Sequence, residues 1–322
     1  MRDDVAMNPG HAPYRVVILT LDSHAAGPCA RVAERLAADF PGLKLSVHAA
    51  AEWGESDAAL QEARRAIATG DIVIANLLFL EEHVQAILPD LQARRDTCDA
   101  MAGLIADGQI VKCTRMGTLD MAAPESGTAK LLKKLRGGGK SGSKTDDGAR
   151  KMKMLRRLPR ILRLIPGKAQ DLRAWFLTMQ YWLGASDDNI EAMVRFLISR
   201  YSNRGDWRGA EAPAPLEYPE TGLYHPDLAE RITTDTDALP APANPRATVG
   251  LLMMRSYVLA GDTAHYDAVI RALEGQGLRV LPAYAGGLDG RPAIEAFFRD
   301  SYGATIDTLL SLTGFSPVGG PA

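Results

Sequence analysis

The sequence predicts an α/β protein of two sheet-containing units, and three observations support this fold class. Short apolar runs alternate with helical patterns through the first 120 residues. The same alternation restarts at Thr248, after a stretch from Gly205 to Arg246 that holds seven prolines and no apolar periodicity. A chain of 322 residues is also long enough for two domains. The sequence therefore indicates two α/β units separated by a proline-rich arm.

The first unit is predicted to contain a parallel sheet with helices on both faces. Apolar and β-branched runs predict strands at Arg15–Asp22, Leu43–His48, Asp71–Phe79 and Ile110–Thr114. Helical patterns lie between them, after the Gly27-Pro28 turn as far as Phe40, at Asp57–Thr69, and from Glu81 to about Ala106 with a break near Pro89. Near-continuous apolar strands that alternate with helices are typical of a parallel sheet covered on both sides.

A basic loop and three helices are expected to complete this N-terminal domain, residues 1–204. The loop, GGGKSGSKTDDG at Gly137–Gly148, contains too little apolar surface to pack. The helical region 149–201 is predicted to contain helices at Ala149–Ile165, Ala169–Leu183 and Ser186–Tyr201. Ser186 is a favourable N-cap, because Asp187 and Asp188 follow it in the first turn.

Basic charge is concentrated around this loop. Between Lys130 and Lys168 the chain has 14 Lys or Arg against two Asp, although its overall net charge is -2. Apolar residues recur at helical spacing in Lys151–Ile165 and basic residues fill the gaps, which is typical of a helix with a solvated basic face. The alternative is a surface for anionic lipid or an acidic protein, contacted by Arg156, Arg157, Arg160 and Arg163. Nucleic acid is not an expected partner, because no aromatic platform or reading motif accompanies the charge.

The second unit, residues 247–322, follows the arm at 205–246 and has the pattern of a doubly wound α/β domain that has only begun. Strands are predicted at Thr248–Met254, Leu278–Tyr284 and Ile306–Leu312, with helices at Asp262–Glu274 and Pro292–Asp300. No helical pattern follows the third strand. The sequence therefore predicts the incomplete start of a domain, with three strands in its sheet.

The segment Met254–Tyr266 is the best candidate binding element. It leaves the first strand of the second unit and enters a helix, whose first N–H groups are free to bind a ligand. Charge, hydrogen-bonding groups and an aromatic ring come together in Arg255, Tyr257, Asp262 and His265. In the alternative interpretation, Asp262 only caps the helix and Tyr257 packs.

Other sequence features exclude several classes of protein. The three cysteines, Cys29, Cys98 and Cys113, lie too far apart for a zinc knuckle or a redox pair, which favours a cytoplasmic protein. Gly139-Lys140-Ser141 lacks the earlier glycine of a phosphate-binding loop. Adjacent side chains in Asp22-Ser23-His24 would point to opposite faces and cannot form a catalytic relay. We therefore predict no catalytic residue, metal ligand or bound cofactor in this chain.

Several long segments resemble one family of enzymes. VGLLMMRSYVLAGDTAHYDAVIRALEGQGLRVLPAYAGGLDGRPAI and IDTLLSLTGFSPVGGPA are similar to the large porphyrin-binding chains of magnesium chelatase (its H subunit) and of cobaltochelatase. VVILTLDSHAAGP, VKCTRMGTLDM and the stretch around AWFLTMQYWLGASDDNIEAMVRFLISRY resemble the N-terminal domain of that large chain. The sequence is thus identified as the N-terminal portion of a member of this family. Pro317 departs from the apolar residue expected at its position.

The resemblance implies insertion of Mg2+ into protoporphyrin IX during bacteriochlorophyll and chlorophyll biosynthesis, driven by ATP that is hydrolysed on two motor subunits. Arg255, Tyr257, Asp262 and His265 are then the expected porphyrin contacts. No carboxylate and histidine cluster suited to dehydrate Mg2+ and remove the pyrrole protons occurs in the sequence. We therefore expect this portion alone to be inactive. The alternative function is a docking module that binds the motor subunits or an anionic membrane surface.

Overall fold

The computed structural model describes residues 12–21, 23–123, 169–287, 289–314 and 316–317 of the chain. The chain divides into two compact units, Met1–Leu216 and Glu217–Ala322. This boundary falls inside the proline-rich arm, and the division into 1–204, 205–246 and 247–322 stays a prediction. The basic loop 137–148 and the helix predicted at 149–165, with Arg156, Arg157, Arg160 and Arg163, lie outside the described residues.

The first unit contains a six-stranded sheet. Its strands are β1 (Tyr14–Thr20), β2 (Leu43–Ala49), β3 (Ile72–Ala75), β4 (Ala100–Gly103), β5 (Arg115–Met116) and β6 (Leu119–Asp120). They lie in the order β2-β1-β3-β4-β5-β6. Strands β1 to β4 pair in parallel, and β5 and β6 add an antiparallel edge. The parallel sheet expected from the apolar runs is therefore confirmed.

Helices cover both faces of this sheet. They are α1 (Ala26–Leu36), α2 (Asp57–Thr69), α3 (Glu81–Arg94), α4 (Gly108–Lys112), α5 (Ala169–Leu183) and α6 (Asp187–Tyr201). Alternate residues of β1 point to opposite faces, so Val16 and Ile18 pack in a cluster with α1, α5 and α6. Val17 and Leu19 pack in a second cluster with α2, α3 and α4. The first unit thus has two apolar cores, one on each side of the sheet.

The start of α6 follows the predicted capping chemistry. The Ser186 hydroxyl accepts a hydrogen bond from the backbone N–H of Asn189 at 3.3 Å. Asp187, the first residue of α6, accepts two hydrogen bonds of 2.7 Å from the Arg31 guanidinium of α1. The same first turn therefore caps α6 and fixes it beside α1.

The expectations for two segments of the first unit were wrong. The strand predicted at Ile110–Thr114 is instead part of helix α4, because the Asp107 carboxylate accepts from the Gln109 N–H at 2.8 Å and starts a helix there. The fourth strand is Ala100–Gly103, whose small residues give little β signal but let α4 approach. A Cβ at Gly103 would collide with the Ile110 carbonyl group. Helix α3 ends at Arg94 rather than near Ala106, and it runs through Pro89 without a break.

The second unit contains a five-stranded sheet and a separate hairpin. The strands of the sheet are β7 (Thr221–Tyr224), β8 (Ile232–Thr233), β9 (Thr248–Met254), β10 (Arg279–Ala285) and β13 (Thr308–Ser311), and the hairpin is formed by β11 (Arg299–Asp300) and β12 (Gly303–Ala304). The strand order in the sheet is β13-β9-β10-β7-β8. The helices are α7 (Arg255–Ala260), α8 (Ala264–Glu274) and α9 (Arg291–Phe297). Parallel pairing of β9 with both β10 and β13 confirms the predicted half of a doubly wound sheet.

The proline-rich arm differs from its expected irregular structure. Thr221–Tyr224 pairs antiparallel with β10, and Ile232–Thr233 pairs with β7. The second sheet therefore has five strands rather than three. The two added strands are four and two residues long, which is too short to produce a periodic apolar signal.

The described helices include none that is both long enough and apolar enough to span a bilayer.

Candidate functional site

The candidate binding element lies at the carboxyl end of β9. Helix α7 begins at Arg255, directly after the strand, and ends at Ala260. The next residue, Gly261, has a φ of 69°, in the left-handed region that favours glycine. Helix α8 then begins at Ala264. The segment thus forms two short helices beyond the strand rather than the single turn expected.

Arg255 is fixed by backbone carbonyl groups. Its Nε donates to the Pro219 oxygen at 2.8 Å, and its Nη2 donates to the Tyr218 oxygen at 3.0 Å. Its side chain is only 11% exposed and lies 3.9 Å from a Glu220 carboxylate oxygen. Arg255 therefore holds the chain before β7 in place, and most of its donors face the protein.

The aromatic residues of the element form a compact group. Tyr257 and His265 make an edge contact with ring centroids 5.6 Å apart, and the rings of His265 and Tyr266 lie 3.9 Å apart. The buried Tyr266 hydroxyl accepts from the Met254 N–H at 3.1 Å, and burial raises the pKa of Tyr266 to about 12. His265 is exposed and Tyr257 is half-buried. The structure therefore brings two of the predicted residues together at the surface.

Asp262 is exposed and does not stand at the start of α8. The residue before α8 is the buried Thr263, and no side-chain oxygen caps this helix. The backbone N–H of Asp262 instead donates to the Tyr257 carbonyl at 3.0 Å, which closes α7.

A buried hydrogen-bond cluster beneath this element was missed by sequence reasoning. The Tyr224 hydroxyl donates to Asp267 at 2.5 Å and lies 2.9 Å from the Thr263 hydroxyl. Burial, followed by the Asp267 carboxylate, raises the pKa of Tyr224 to about 12. Tyr224 belongs to the arm that was expected to be irregular, so no sequence signal placed it beside α8. The cluster joins β7 to α8, the helix that carries His265.

The cleft at the carboxyl ends of β9 and β10 is small. It encloses about 10 Å3, room for about one water molecule, and Gly290 and Pro317 are among its lining residues. The Gly290 N–H donates to the Pro317 carbonyl at 2.9 Å, and a Cβ at Gly290 would lie 2.6 Å from a Leu252 methyl group. A planar macrocycle therefore has room only on the surface of this element, not inside the cleft.

The corresponding edge of the first sheet holds buried polar side chains. Thr20, at the end of β1, and Asn76, just after β3, are both fully buried. The Thr20 hydroxyl and both Asn76 amide atoms have no hydrogen-bond partner among the described residues. His24 is 3% exposed and lies beside the Trp182 ring at 6.4 Å, whereas its neighbour Asp22 lies outside the described residues.

Among the described residues, no group of three or more His, Cys, Asp or Glu side chains is placed to hold a metal ion. The described second unit offers an aromatic and imidazole surface and a buried hydrogen-bond cluster.

Two family profiles match the chain. Residues 15–176 match a family described as a domain of unknown function, DUF3479, and residues 179–322 match the family CobN/Magnesium Chelatase. Together the two matches include both units that the structure describes.

Curated relatives extend this similarity over the full length. The chain is 62% identical over 322 residues to the magnesium-chelatase H subunit of Cereibacter sphaeroides, covering 100% of this chain and 27% of that protein. It is 61% identical to the magnesium-chelatase H subunit of Rhodobacter capsulatus, covering 98% and 26% respectively. The chain thus spans about a quarter of the length of these relatives.

A solved structure, the catalytic subunit of cobaltochelatase from Mycobacterium tuberculosis, aligns with a TM-score of 0.44 at 15% identity, over 92% of this chain and 18% of that chain. A likeness at that level supports no argument about function.

Proposed function

We propose, from the premise that this chain belongs to the DUF3479 family and continues into the CobN/Magnesium Chelatase family, that it is the N-terminal part of the porphyrin-binding H subunit of a magnesium chelatase. The observation that carries the proposal is 62% identity over all 322 residues to a magnesium-chelatase H subunit. The complete enzyme would insert Mg2+ into protoporphyrin IX, with ATP hydrolysed on two motor subunits. Mg2+ and the porphyrin are its substrates.

The proposal places the chelation centre outside this chain. Hydrated Mg2+ releases water reluctantly, so insertion needs oxygen ligands and a base for the two pyrrole protons. The described residues include no group of three candidate metal ligands. The cleft at the second sheet encloses only about 10 Å3. This chain would therefore contribute architecture and contacts rather than the reacting groups.

A chimera tests the assignment. Residues 1–322 would replace the matching segment of the 62% identical relative, and chelatase activity would be measured with both motor subunits, Mg2+, ATP and protoporphyrin IX. We expect the chimera to retain activity, because the two sequences are similar along the whole exchanged segment. A soluble, folded chimera without activity would contradict the proposal, and the unmodified relative provides the positive control.

Porphyrin contact by Arg255, Tyr257, Asp262 and His265 stays a proposal. The exposed His265 and the half-buried Tyr257 support it, because a ring edge and an imidazole can pack on a planar aromatic ligand. Protoporphyrin fluorescence titrated with the chain should change, and Tyr257→Ala should weaken the affinity about ten-fold. The matched control is Tyr302→Ala, which removes a 97% exposed tyrosine of the same unit. Equal affinities for the two variants would contradict the contact.

A second function, docking to an anionic surface, is favoured by the basic sequence between Lys130 and Lys168, with 14 Lys or Arg against two Asp. The protein would then be cytoplasmic and peripheral at a membrane. Changing Arg156, Arg157, Arg160 and Arg163 to Glu should abolish sedimentation with acidic vesicles, and salt should weaken binding of the unmodified chain. If the unmodified chain does not sediment with acidic vesicles at low salt, the basic segment is a solvated face and not a docking surface.

A further inference from the structure

An open groove runs along the edge strand of the first sheet. It lies between β2 and α2 and encloses about 420 Å3. The side chains of Ala66 and Ala68 on α2 are small, so the helix leaves space beside the strand. Lining residues from β1, β2 and α2 include Arg15, Lys44, Ser46, His48, Glu62, Arg65 and Thr69. The groove is distinct from the element proposed for porphyrin, which belongs to the second unit.

Three cations line this groove. Arg15 and Lys44 are direct register partners on the parallel strands β1 and β2, so their side chains are neighbours on the same face. Arg65 reaches the same groove from the last turns of α2. No ion pair within 4.0 Å joins any of the three to an acidic side chain of the described residues, and the Arg15 Nη1 donates to the Pro13 carbonyl at 3.4 Å. Like charges directly opposite each other on neighbouring strands are destabilising, so an anion bound between them would relieve the repulsion.

Two carboxylates lie at or near the groove, that of Glu62, which lines it, and that of Asp71. Asp71 accepts from the backbone N–H of Arg15 at 2.7 Å, and the Arg15 charge offsets part of the rise that burial causes in the pKa of Asp71. The negative charge of Glu62 favours the protonated form of His48. The His48 imidazole also hydrogen-bonds to the hydroxyl of Ser46, two residues earlier on β2, at 3.2 Å. Burial lowers the pKa of His48, so the imidazole is neutral at pH 7. Three cations, Arg15, Lys44 and Arg65, against the two carboxylates still leave the groove with a net positive charge.

We propose that this groove binds a compact dianion, either a phosphate group or a dicarboxylate. The Arg15 and Arg65 guanidinium groups present planar pairs of N–H donors that match two oxygens of one oxyanion, and the Lys44 ammonium adds a third charge. A volume of about 420 Å3 is in the range of small-molecule sites. The Ser46 and Thr69 hydroxyls supply neutral partners along the groove. The site goes beyond the proposed chelatase role and does not depend on it.

Calorimetric titration of the full chain with inorganic phosphate and, separately, with malonate tests this proposal at constant ionic strength set by chloride. We expect at least one dianion to bind, and Arg65→Gln or Lys44→Gln to weaken it about ten-fold. The matched control is Lys112→Gln, which removes one exposed positive charge of the same unit outside the groove. Circular dichroism would verify that each variant is folded, as expected for exposed side chains.

Each outcome decides the proposal. Binding of phosphate alone assigns a phosphate ester as the ligand class, and binding of malonate alone assigns a dicarboxylate. Failure of both anions to bind overturns the site. Equal anion affinities of the Arg65→Gln and Lys112→Gln variants would also overturn the site. The anion would then respond only to the net charge of the protein and not to a contact in the groove. These results are independent of chelatase activity, so they separate this inference from the proposed function.

Discussion

The two sheets end in edge strands of opposite character. In the first unit, β2 is a parallel edge strand whose apolar residues Leu43, Leu45 and Val47 pack on one core, while Lys44, Ser46 and His48 face the open groove. In the second unit, β13 is also a parallel edge strand, but its consecutive residues Leu309 and Leu310 are 39% and 38% exposed. Neighbouring residues of a strand point to opposite faces, so both faces of β13 are partly uncovered.

The side chains of each edge strand indicate whether that strand faces solvent or packs against more protein. A lysine and other polar residues on an edge strand discourage unwanted pairing, whereas exposed leucines favour it. The polar side chains of strand β2 therefore favour contact with water and with small polar ligands. The composition of β13 is typical of a strand that packs against more protein, which fits the proposal of a longer subunit. The exposed Phe79 and Leu80 of the first unit lie after β3, outside its sheet.

The largest expected effect is on the free energy of unfolding, when a buried strand residue is truncated and an exposed one serves as the comparison. Ile74→Ala in β3 should lower the free energy of unfolding by about 2–5 kcal/mol, because it empties a fully buried position. Leu310→Ala in β13 should change it by less than about 1 kcal/mol. Urea unfolding of both variants measures this contrast. A larger loss for Leu310→Ala would show that β13 is covered in solution and that the comparison is wrong.

The second prediction compares two carboxylates. Asp171 in α5 accepts hydrogen bonds from the Thr118 N–H and hydroxyl, each 2.8 Å, from Arg200 at 2.9 Å and from the Tyr201 hydroxyl at 3.0 Å. Burial alone would raise its pKa, but these donors hold the pKa of Asp171 below its ordinary value. Asp171→Asn should therefore lower the free energy of unfolding by about 1–3 kcal/mol at pH 7.

The pH dependence of this loss has a defined sign. A carboxylate with a depressed pKa in the folded state stabilises the fold above its unfolded pKa, and the contribution disappears as pH falls through the folded pKa. The difference between Asp171→Asn and the unmodified chain should thus shrink below about pH 4. In the second unit, Asp227 has its pKa lowered by hydrogen bonds from Arg271 but lies in solvent, so Asp227→Asn should have little effect. Equal losses at Asp171 and Asp227 would contradict this contrast.

The third and smallest effect is a separation of unfolding transitions. All four tryptophans, Trp53, Trp175, Trp182 and Trp207, lie in the first unit, so their fluorescence reports that unit alone. Far-ultraviolet circular dichroism reports both units. We expect part of the dichroism signal to be lost at a urea concentration about 0.5 M below the fluorescence midpoint, because the second unit has the less covered sheet. Coincident curves would show one cooperative unit.

Sequence reasoning found the long elements and missed the short ones, for physical reasons. Thr248–Met254, Asp57–Thr69 and Ala169–Leu183 were predicted with the bounds that the structure has, because their apolar pattern extends over several turns or a full buried strand. Ala100–Gly103 was missed because its strand is stabilised by burial, not by β-branched residues. Strand β7 was missed for a similar reason. It is defined by its pairing with β10, and its four residues are too few to show a periodic apolar pattern.

The candidate sites were predicted less completely than the fold. Sequence placed Tyr257 and His265 near each other, but not the carbonyl groups of Tyr218 and Pro219 that hold Arg255. The groove cations Arg15, Lys44 and Arg65 are far apart in the chain and meet only through the strand register and the packing of α2. Alternation in LKLSVHA was the one available signal, because it marks a polar face on β2.

We have proposed that this chain is the N-terminal part of a chelatase subunit and that the chelation centre lies outside residues 1–322. The most direct test is a fluorimetric time course of magnesium protoporphyrin formation by the chain with both motor subunits, Mg2+, ATP and protoporphyrin IX, beside the same assay with a full-length subunit. We expect product only with the full-length subunit, because a cavity that holds a base and excludes water must be pre-organised. Turnover by this chain at even about a hundredth of the full-length rate, a barrier difference of only about 2.7 kcal/mol, would contradict it.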